Sequence, residues 1–531
     1  VTAHSIQERF VLPAPLLLSG ANGEVTLEIK PYLQPFEREL AMRELKALLN
    51  PGDKIHEEFG YWLAHTSVSD EVLRSKLTYW QRIGRTSLKL PLQKALELTQ
   101  NGEEAANQQA SLHRARRLRY GPHGLHEYRG KFFPQLVRSL INMSGVPEGS
   151  LILDPMSGSG TTACEAVAAG MRAIGADLNP LSTLITSVKA AIPTINPEEF
   201  RRQAADRLPS FRFKPADPAT IWGADDLRYL HMWLDPVAVD DLASVISEIE
   251  QVESAIYRDF FCVCLSNIVR SVSWQKPEDL RTRKQIGTYE PGTALSRFLA
   301  EAQTQADRIH AYLLVLGNKK RPKAVIRHGN ALEIESIFPE YSCSADLLIT
   351  SPPYATALPY LDTDRLSLIV MRLLPRKKHV ETEREMIGTR EITERKRREA
   401  WAEYEDRQGE LPARVASLID AIAASNHADG VGFRRRNLPA LLGKYFLSML
   451  DAMRSARKLM KPGALGYYVV GNNSTVVDGK KIEIPTDRFL VDLGAAAGWS
   501  PVEQIPMELI ASRDIFRENR GSTETILGFR A

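Results

Sequence analysis

The stretch SLILDPMSGSGTTACEAVAAGMRAIGADLNPLS, Ser150–Ser182, decides the fold. Leu151–Leu153 is a short apolar run that reads as a buried strand. DPMSGSGTT, Asp154–Thr162, is a Gly-rich turn. Thr161–Gly170 is a helix of small residues, and Arg172–Ala176 is the next strand. Strand, Gly-rich loop, helix and strand in that order open a doubly wound α/β sheet. Such a loop lets backbone N–H groups approach an anionic or polar ligand, and Gly158 and Gly160 supply that approach. Asp154 ends the first strand. Asp177 ends the second, about 20 residues beyond the glycines, where an acid commonly accepts hydrogen bonds from ribose hydroxyls. The constellation predicts an adenosine-containing cofactor. A nicotinamide dinucleotide fingerprint wants G-x-G-x-x-G, but Thr161, Thr162 and Ala163 follow Gly160, so the third glycine is missing.

Working outward, the character of the chain changes near Tyr120. GLHEYRGKFFPQLVRSLINMSG reads as a loop and then a helix from about Pro134. Upstream, VTLEIKPYL (Val25–Leu33) reads as a strand, and FERELAMRELKALL has helical spacing, so 1–119 is expected to be a mostly helical N-terminal domain. The cofactor-binding half then spans 120–195. A helical insertion follows over 196–322, with AVDDLASVISEIEQVESAIYRDFFCVCLSNIV and TALSRFLAEAQTQADRIHAYLLVL as its periodic segments. Strand signals resume at KAVIRHGNAL and at ADLLITSPPY, which gives a catalytic half over 323–374. A charged insertion covers 375–439, and ALGYYVVGNN, WSPVEQIPMEL and ETILGFRA supply C-terminal strands in 440–531.

The chain of 531 residues is too long for one compact core, which agrees with this division. No apolar run approaches the roughly 20 residues needed to span a bilayer. The opening VTAHSIQERF lacks the basic-then-apolar layout of a signal peptide, so a cytoplasmic protein without a membrane partner is expected. Of the four cysteines, Cys262 and Cys264 form a C-x-C pair with no nearby His or further Cys, which reads as buried free thiols rather than a zinc site. Net charge is only +3, but the basic residues cluster: His113–Arg119, Arg281–Lys284, Lys319–Lys323, Arg395–Arg398 and Arg434–Arg436. Clusters of this kind can neutralise nucleic-acid phosphates, although most charge runs are solvated faces.

Asp154–Thr162 resembles the D-P-F-x-G-S-G-T-T motif of the DNA amino-methyltransferases, with Met156 in place of the usual Phe. HEYRGKFFPQLV (His126–Val137) resembles the segment that precedes this motif and helps hold the methionine end of the cofactor. RHGNAL (Arg327–Leu332) resembles the later loop that flanks the adenine, with Asn330 where Asp is usual. TSPPY (Thr350–Tyr354) carries the catalytic tetrapeptide. The resemblance covers Tyr120–Ile195 and Lys323–Ala531. It implies a doubly wound, Rossmann-like sheet with S-adenosyl-L-methionine as cofactor. The cofactor contacts it implies are Lys131, Phe132, Pro134, Asp154, Pro155, Met156, Gly158, Ser159, Gly160, Thr161, Thr162, Asp177, Asn179, Asn330, Ala331 and Leu332. No metal is expected.

The catalytic residues are then Ser351, Pro352, Pro353 and Tyr354. A base amino group is a poor nucleophile because its lone pair is delocalised into the ring. Ser351 Oγ and the Pro352 carbonyl are suited to accept both N–H hydrogens and favour a pyramidal nitrogen, and Tyr354 can stack on the base. A duplex base reaches such a pocket only by flipping out. In the family, Ser at the first position leans toward cytosine N4, whereas Asp or Asn leans toward adenine N6. Carbon-5 cytosine methylation uses a Pro-Cys nucleophile, and the chain has no Pro-Cys.

The expected function is therefore site-specific DNA methylation at cytosine N4 by direct displacement, in a restriction–modification or other host-marking system with a cognate restriction or defence partner. The alternatives are an adenine-N6 or RNA methyltransferase, and a non-catalytic nucleic-acid-binding protein on the same scaffold. Arg281, Arg283, Lys284, Arg395, Lys396, Arg397 and Arg398 are the candidate DNA contacts, within Trp274–Gly292 and Glu381–Arg398. His123 and His126 read as structural or cofactor-packing residues, and Asp362 and Asp364 as caps of the helix that follows them. The oligomeric state stays open.

Overall fold

The computed structural model describes residues 23–101, 116–128, 132–276, 283–355, 360–389, 392–426, 432–477, 480–507 and 524–531. The N-terminal part corrects the expectation of a mostly helical domain. Strands β1 (Glu24–Ile29), β2 (Lys54–Glu58), β3 (Tyr61–His65) and β4 (Trp80–Gly84) form an antiparallel sheet in the order β2-β3-β1-β4. Helices Pro35–Leu48 and Asp70–Lys76 share its core, whereas Leu96 of helix Leu92–Leu98 joins the cluster of the helical insertion. β1 and the three helices lie in the spans that periodicity gave them, whereas β2, β3 and β4 lie where helix was expected. KIHEE has one apolar residue and no buried position, so β2 shows no alternation to read. Phe59 and Gly60 join β2 to β3, both at positive φ as a two-residue hairpin demands, and phenylalanine is not a turn signal. This sheet shares a core with the rest of the chain: Val25, Leu27, Leu40 and Ile83 cluster with Leu140, Ile152, Val469 and Ile526.

Among the described residues the main sheet has seven strands. They are β5 (Leu151–Asp154), β6 (Arg172–Asp177), β7 (Ala324–His328), β8 (Ala345–Thr350), β9 (Met460–Gly471), β12 (Ser500–Met507) and β13 (Glu524–Arg530). A hairpin of β10 (Asn473–Val477) and β11 (Lys480–Ile484) stands apart from it. The order is β12-β13-β9-β8-β5-β6-β7. β7, β6, β5, β8 and β9 run parallel, and β13 pairs antiparallel with both β9 and β12. The expected doubly wound sheet is present. β5 is buried at all four positions, as a central parallel strand requires. The chain leaves β5 toward β7 and later returns through β8 on the other side. The strand order therefore reverses between β5 and β8, and ligands bind outside the carboxyl ends at such a switch point.

The two periodic segments of 196–322 fold as three long helices, Pro236–Glu250, Ala255–Val269 and Thr293–Leu316, because the first segment breaks between Glu250 and Ala255. Their apolar faces form one cluster with Leu181 and Ile185 of helix Pro180–Ala191 and with Leu366–Val370. The charged segment is helical as well, with helices Arg376–Glu385, Glu394–Arg407 and Ala413–Ser425. The 439/440 boundary falls inside helix Phe433–Leu459, which runs through Pro439. A proline there removes the N–H that would bond the Arg435 carbonyl. Asn426 Nδ2 donates to that carbonyl instead, at 2.8 Å.

Candidate active site

β5 delivers Asp154 to the switch point, and β8 delivers Thr350 beside it. Thr350 Oγ1 donates to Asp154 Oδ1 at 2.7 Å, and the Met156 N–H donates to the same oxygen at 3.2 Å. The two strand ends are thus stitched together by side chains. The loop then enters helix Thr161–Ala168 through Gly160 at φ 74°. A Cβ there would lie 2.6 Å from Thr186 Cα, so the loop is pressed against helix Pro180–Ala191.

β6 ends at Asp177, whose carboxylate bridges two loops. Oδ2 accepts from the Gly158 N–H and Oδ1 from the Asn179 N–H, both at 2.8 Å. Burial pushes Asp177 above the ordinary carboxylate range against these two bonds. Each oxygen keeps a second lone pair, so the group can still accept from ligand hydroxyls.

Burial also pushes Asp154 up to about 6, opposed by the hydrogen bond from Thr350. A carboxyl with a raised folded-state pKa stabilises the fold fully below its unfolded value. That contribution is lost as pH rises through the folded value. The window runs from 3.8 to about 6 and is worth roughly 3 kcal/mol at most. Asp154→Asn is uncharged throughout. The stability of the wild type relative to Asp154→Asn is therefore expected to fall between pH 4 and pH 7 and to level off above, read by thermal unfolding without cofactor. A flat difference would contradict the burial assigned to Asp154.

The tetrapeptide follows β8 without regular structure. Ser351 Oγ donates to the Val469 carbonyl of β9 at 3.1 Å. Tyr445 Oη donates to the Pro353 carbonyl at 3.1 Å, and Tyr354 Oη pairs with Glu524 Oε1. Gly388 lies so close that a Cβ would sit 2.8 Å from the Tyr354 carbonyl oxygen.

One cavity gathers most of the expected residues: Phe132, Asp154, Pro155, Met156, Gly158, Ser159, Thr161, Thr162, Asp177, Asn330, Ala331 and Ser351–Tyr354. Its donor set fits an adenosine cofactor with a charged tail. An acid stands at the end of β6, glycine backbone lines the floor, and Phe133, Leu178 and Ala331 give apolar walls. Several expected residues support the cavity without lining it. Pro134 starts the buried helix Pro134–Ser144, and Gly160 faces Thr186. Asn179 caps helix Pro180–Ala191 by accepting from the Leu181 N–H at 3.0 Å. Leu332 donates its N–H to Asn330 Oδ1 at 3.1 Å. Lys131 and Arg281 lie outside the described residues.

The other candidate DNA contacts are not in this cavity. Lys284 stacks its ammonium over Trp274, 4.6 Å from the ring centroid, and the Arg283 carbonyl accepts from the Lys276 N–H. Arg395 and Lys396 pair with Glu399, while Arg397 and Arg398 pair with Glu394, so this run is charge-compensated along its own helix. Asp364 corrects the capping expectation. It sits at the N-cap position of helix Arg365–Val370, but its carboxylate makes no cap. Oδ2 accepts from Asn179 Nδ2 at 3.1 Å and so ties the segment after the tetrapeptide to the cofactor loop. Asp362 pairs with Arg365. His123 meets the buried Glu165 at 2.8 Å, a structural contact. Cys262 and Cys264 are free thiols, as expected, Cys264 fully buried and Cys262 partly so.

Tyr128, Ser157, Met386, Ile387, Val469 and Glu524 also line the cavity and were not anticipated. Tyr128 had a signal, because it lies inside the segment His126–Val137. Ser157 lies inside Asp154–Thr162, and Met386 and Ile387 inside Glu381–Arg398, whereas Val469 acts through its backbone and carried no signal.

Residues 125–207 match the family described as RMKL-like, methyltransferase domain. The chain is 23% identical over 388 residues to the Type II methyltransferase M.MvaI of Kocuria varians, which covers 70% of this chain and 80% of that protein. Two further similarities are local. Type II methyltransferase M.MjaII of Methanocaldococcus jannaschii is 43% identical over 67 residues, 13% of this chain and 12% of that one. The tRNA (guanine(10)-N2)-dimethyltransferase of Methanothermobacter thermautotrophicus is 44% identical over 52 residues, 10% of this chain and 16% of its own.

Proposed function

Since the chain is an S-adenosylmethionine-dependent methyltransferase of the DNA methyltransferase family, we propose that it methylates the exocyclic N4 of cytosine at a specific site in DNA. The observation that carries this reading is the state of Ser351. Its proton is committed to the Val469 carbonyl, so its oxygen is left as a hydrogen-bond acceptor. An acceptor is what an amino group needs in order to become pyramidal. Serine at this position also leans toward cytosine in the family that the motifs resemble.

The residues divide the work by place. Asp177 would hold the ribose hydroxyls, Leu178, Asn330 and Ala331 the adenine, and Phe132 and Gly158 the methionine end. When bound, the cofactor supplies an electrophilic methyl group. Ser351 Oγ and the Pro352 carbonyl accept the two amino hydrogens and aim the nitrogen lone pair, and the Tyr354 ring stacks on the base. The amino nitrogen would take the methyl group in one direct displacement, with the neutral thioether as leaving group and one amino proton passing to solvent. Positioning and fixed dipoles supply most of the acceleration. The base must leave the duplex to reach the cavity. The setting we expect is the cytoplasm, in a restriction–modification or other host-marking system. No helix among the described residues is long and apolar enough to cross a membrane.

The test is incubation with S-adenosylmethionine and unmethylated genomic DNA, digestion to nucleosides and mass spectrometry. N4-methylcytosine is expected. N6-methyladenine would keep the mechanism and correct the base. The local similarity to a tRNA guanine-N2 enzyme makes RNA the second substrate to try. Cofactor binding with no transfer to either nucleic acid would overturn the catalytic reading.

A further inference from the structure

The tetrapeptide is held at several points, and each hold has a different purpose. Ser351 is fixed to β9 through the Val469 carbonyl, and the Pro353 carbonyl is fixed by Tyr445. Gly388 closes against the backbone at Tyr354. These contacts set the main chain rather than the Tyr354 ring. A ring that stacks on a planar base must have its plane set in advance, because a loop tyrosine otherwise samples several rotamers.

A further hold is on the ring itself. Tyr354 Oη meets Glu524 Oε1, from a residue 170 positions away in the chain. Glu524 opens β13 and is paired on both sides, with Gly471 of β9 and Met507 of β12. It also lines the cavity, as do the apolar Met386 and Ile387. The other two carboxylates in the lining, Asp154 and Asp177, already serve the cofactor loops. A phenol bonded to a carboxylate is a charge-assisted contact and stronger than a neutral one. We propose that Glu524 is a positioning residue that fixes the Tyr354 ring as the stacking face for the target base. This assignment rests on the base-methylation reading.

The experiment uses the full chain as wild type, Glu524→Ala, Glu524→Gln, Tyr354→Phe and the Glu524→Ala/Tyr354→Phe pair. Transfer of labelled methyl to DNA gives kcat and KM, and calorimetry gives the affinity for S-adenosylmethionine. Glu524→Ala is expected to lower kcat about 10- to 100-fold, the scale of a small misplacement of a reacting group. Cofactor affinity should stay within about two-fold, which also reports folding. Glu524→Gln should recover most of the rate, because its amide oxygen still accepts from the phenol. In the Tyr354→Phe background Glu524→Ala should add little, since coupled residues are not additive. Multiplicative losses, a glutamine variant as impaired as the alanine variant, or weakened cofactor binding in both would overturn the assignment. A wild type that methylates RNA and not DNA would instead correct the substrate, and the same ratios measured on RNA would still test Glu524.

Discussion

Ser351→Ala is expected to lower methyl transfer by about 10²- to 10³-fold, the usual consequence of deleting one preorganised polar contact to a transition state. Cofactor affinity should change little. Ser351 bonds to Val469 of β9, and the bond between Thr350 and Asp154 is left intact. The fold should also survive. Val469 lies in β9, whose pairing with β13 and β8 does not involve the serine. Single-turnover transfer to DNA, beside calorimetric binding of S-adenosylmethionine, separates the two effects. A loss below about three-fold would remove Ser351 from the acceptor role.

Gly160→Ala should act at the opposite end of the site and on different quantities. The new methyl group would lie 2.6 Å from Thr186 Cα, in a backbone conformation at φ 74°. The left-handed conformation costs roughly 1–2 kcal/mol, and overpacking typically 1–3 more. The loop must therefore shift, which moves the Gly158 N–H away from Asp177 and dismantles the ribose end. A destabilisation of about 2–5 kcal/mol and loss of cofactor binding are expected, read by denaturant midpoint and calorimetry. Gly145→Ala is the control. Its φ is 68°, but nothing lies within 4 Å of the added carbon, so it should carry the backbone cost alone. Equal effects at the two positions would mean that the contact with Thr186 is unimportant.

Much of the cofactor side was legible because its chemistry is local. Asp154–Thr162 places a strand end, a glycine turn and a helix start within nine consecutive residues, and each element follows from short-range propensity. Asp177 follows from the length of one helix and one strand. The target side is assembled from distant pieces. Ser351–Tyr354 could be read, but their partners Val469, Tyr445 and Glu524 lie 118, 92 and 170 residues away. Nothing in ETILGFRA says that its first residue faces a tyrosine of β8's loop. The basic run Arg395–Arg398 shows a different limit of sequence reading. RKRR reads as unpaired charge only while Glu394 and Glu399 are ignored, and on a helix those acids are its i+3 and i+4 neighbours. In the N-terminal sheet β2 was missed because KIHEE has one apolar position, and β3 because YWLAH is a short apolar run without alternation, which a buried helix segment shares.

The position of β13 between β9 and β12 has a consequence for how the protein is made. A ribosome releases β5, β6 and β7 first, then β8 and β9, and β13 only at residues 524–530. Until then β9 presents an unpaired edge, the kind of surface that invites pairing with another chain. The nascent chain thus carries its cofactor loop and tetrapeptide for some 170 residues of synthesis before Tyr354 meets Glu524. Ring placement waits until β13 has been translated, so this site gains its final geometry only after the other strands of the sheet have been made.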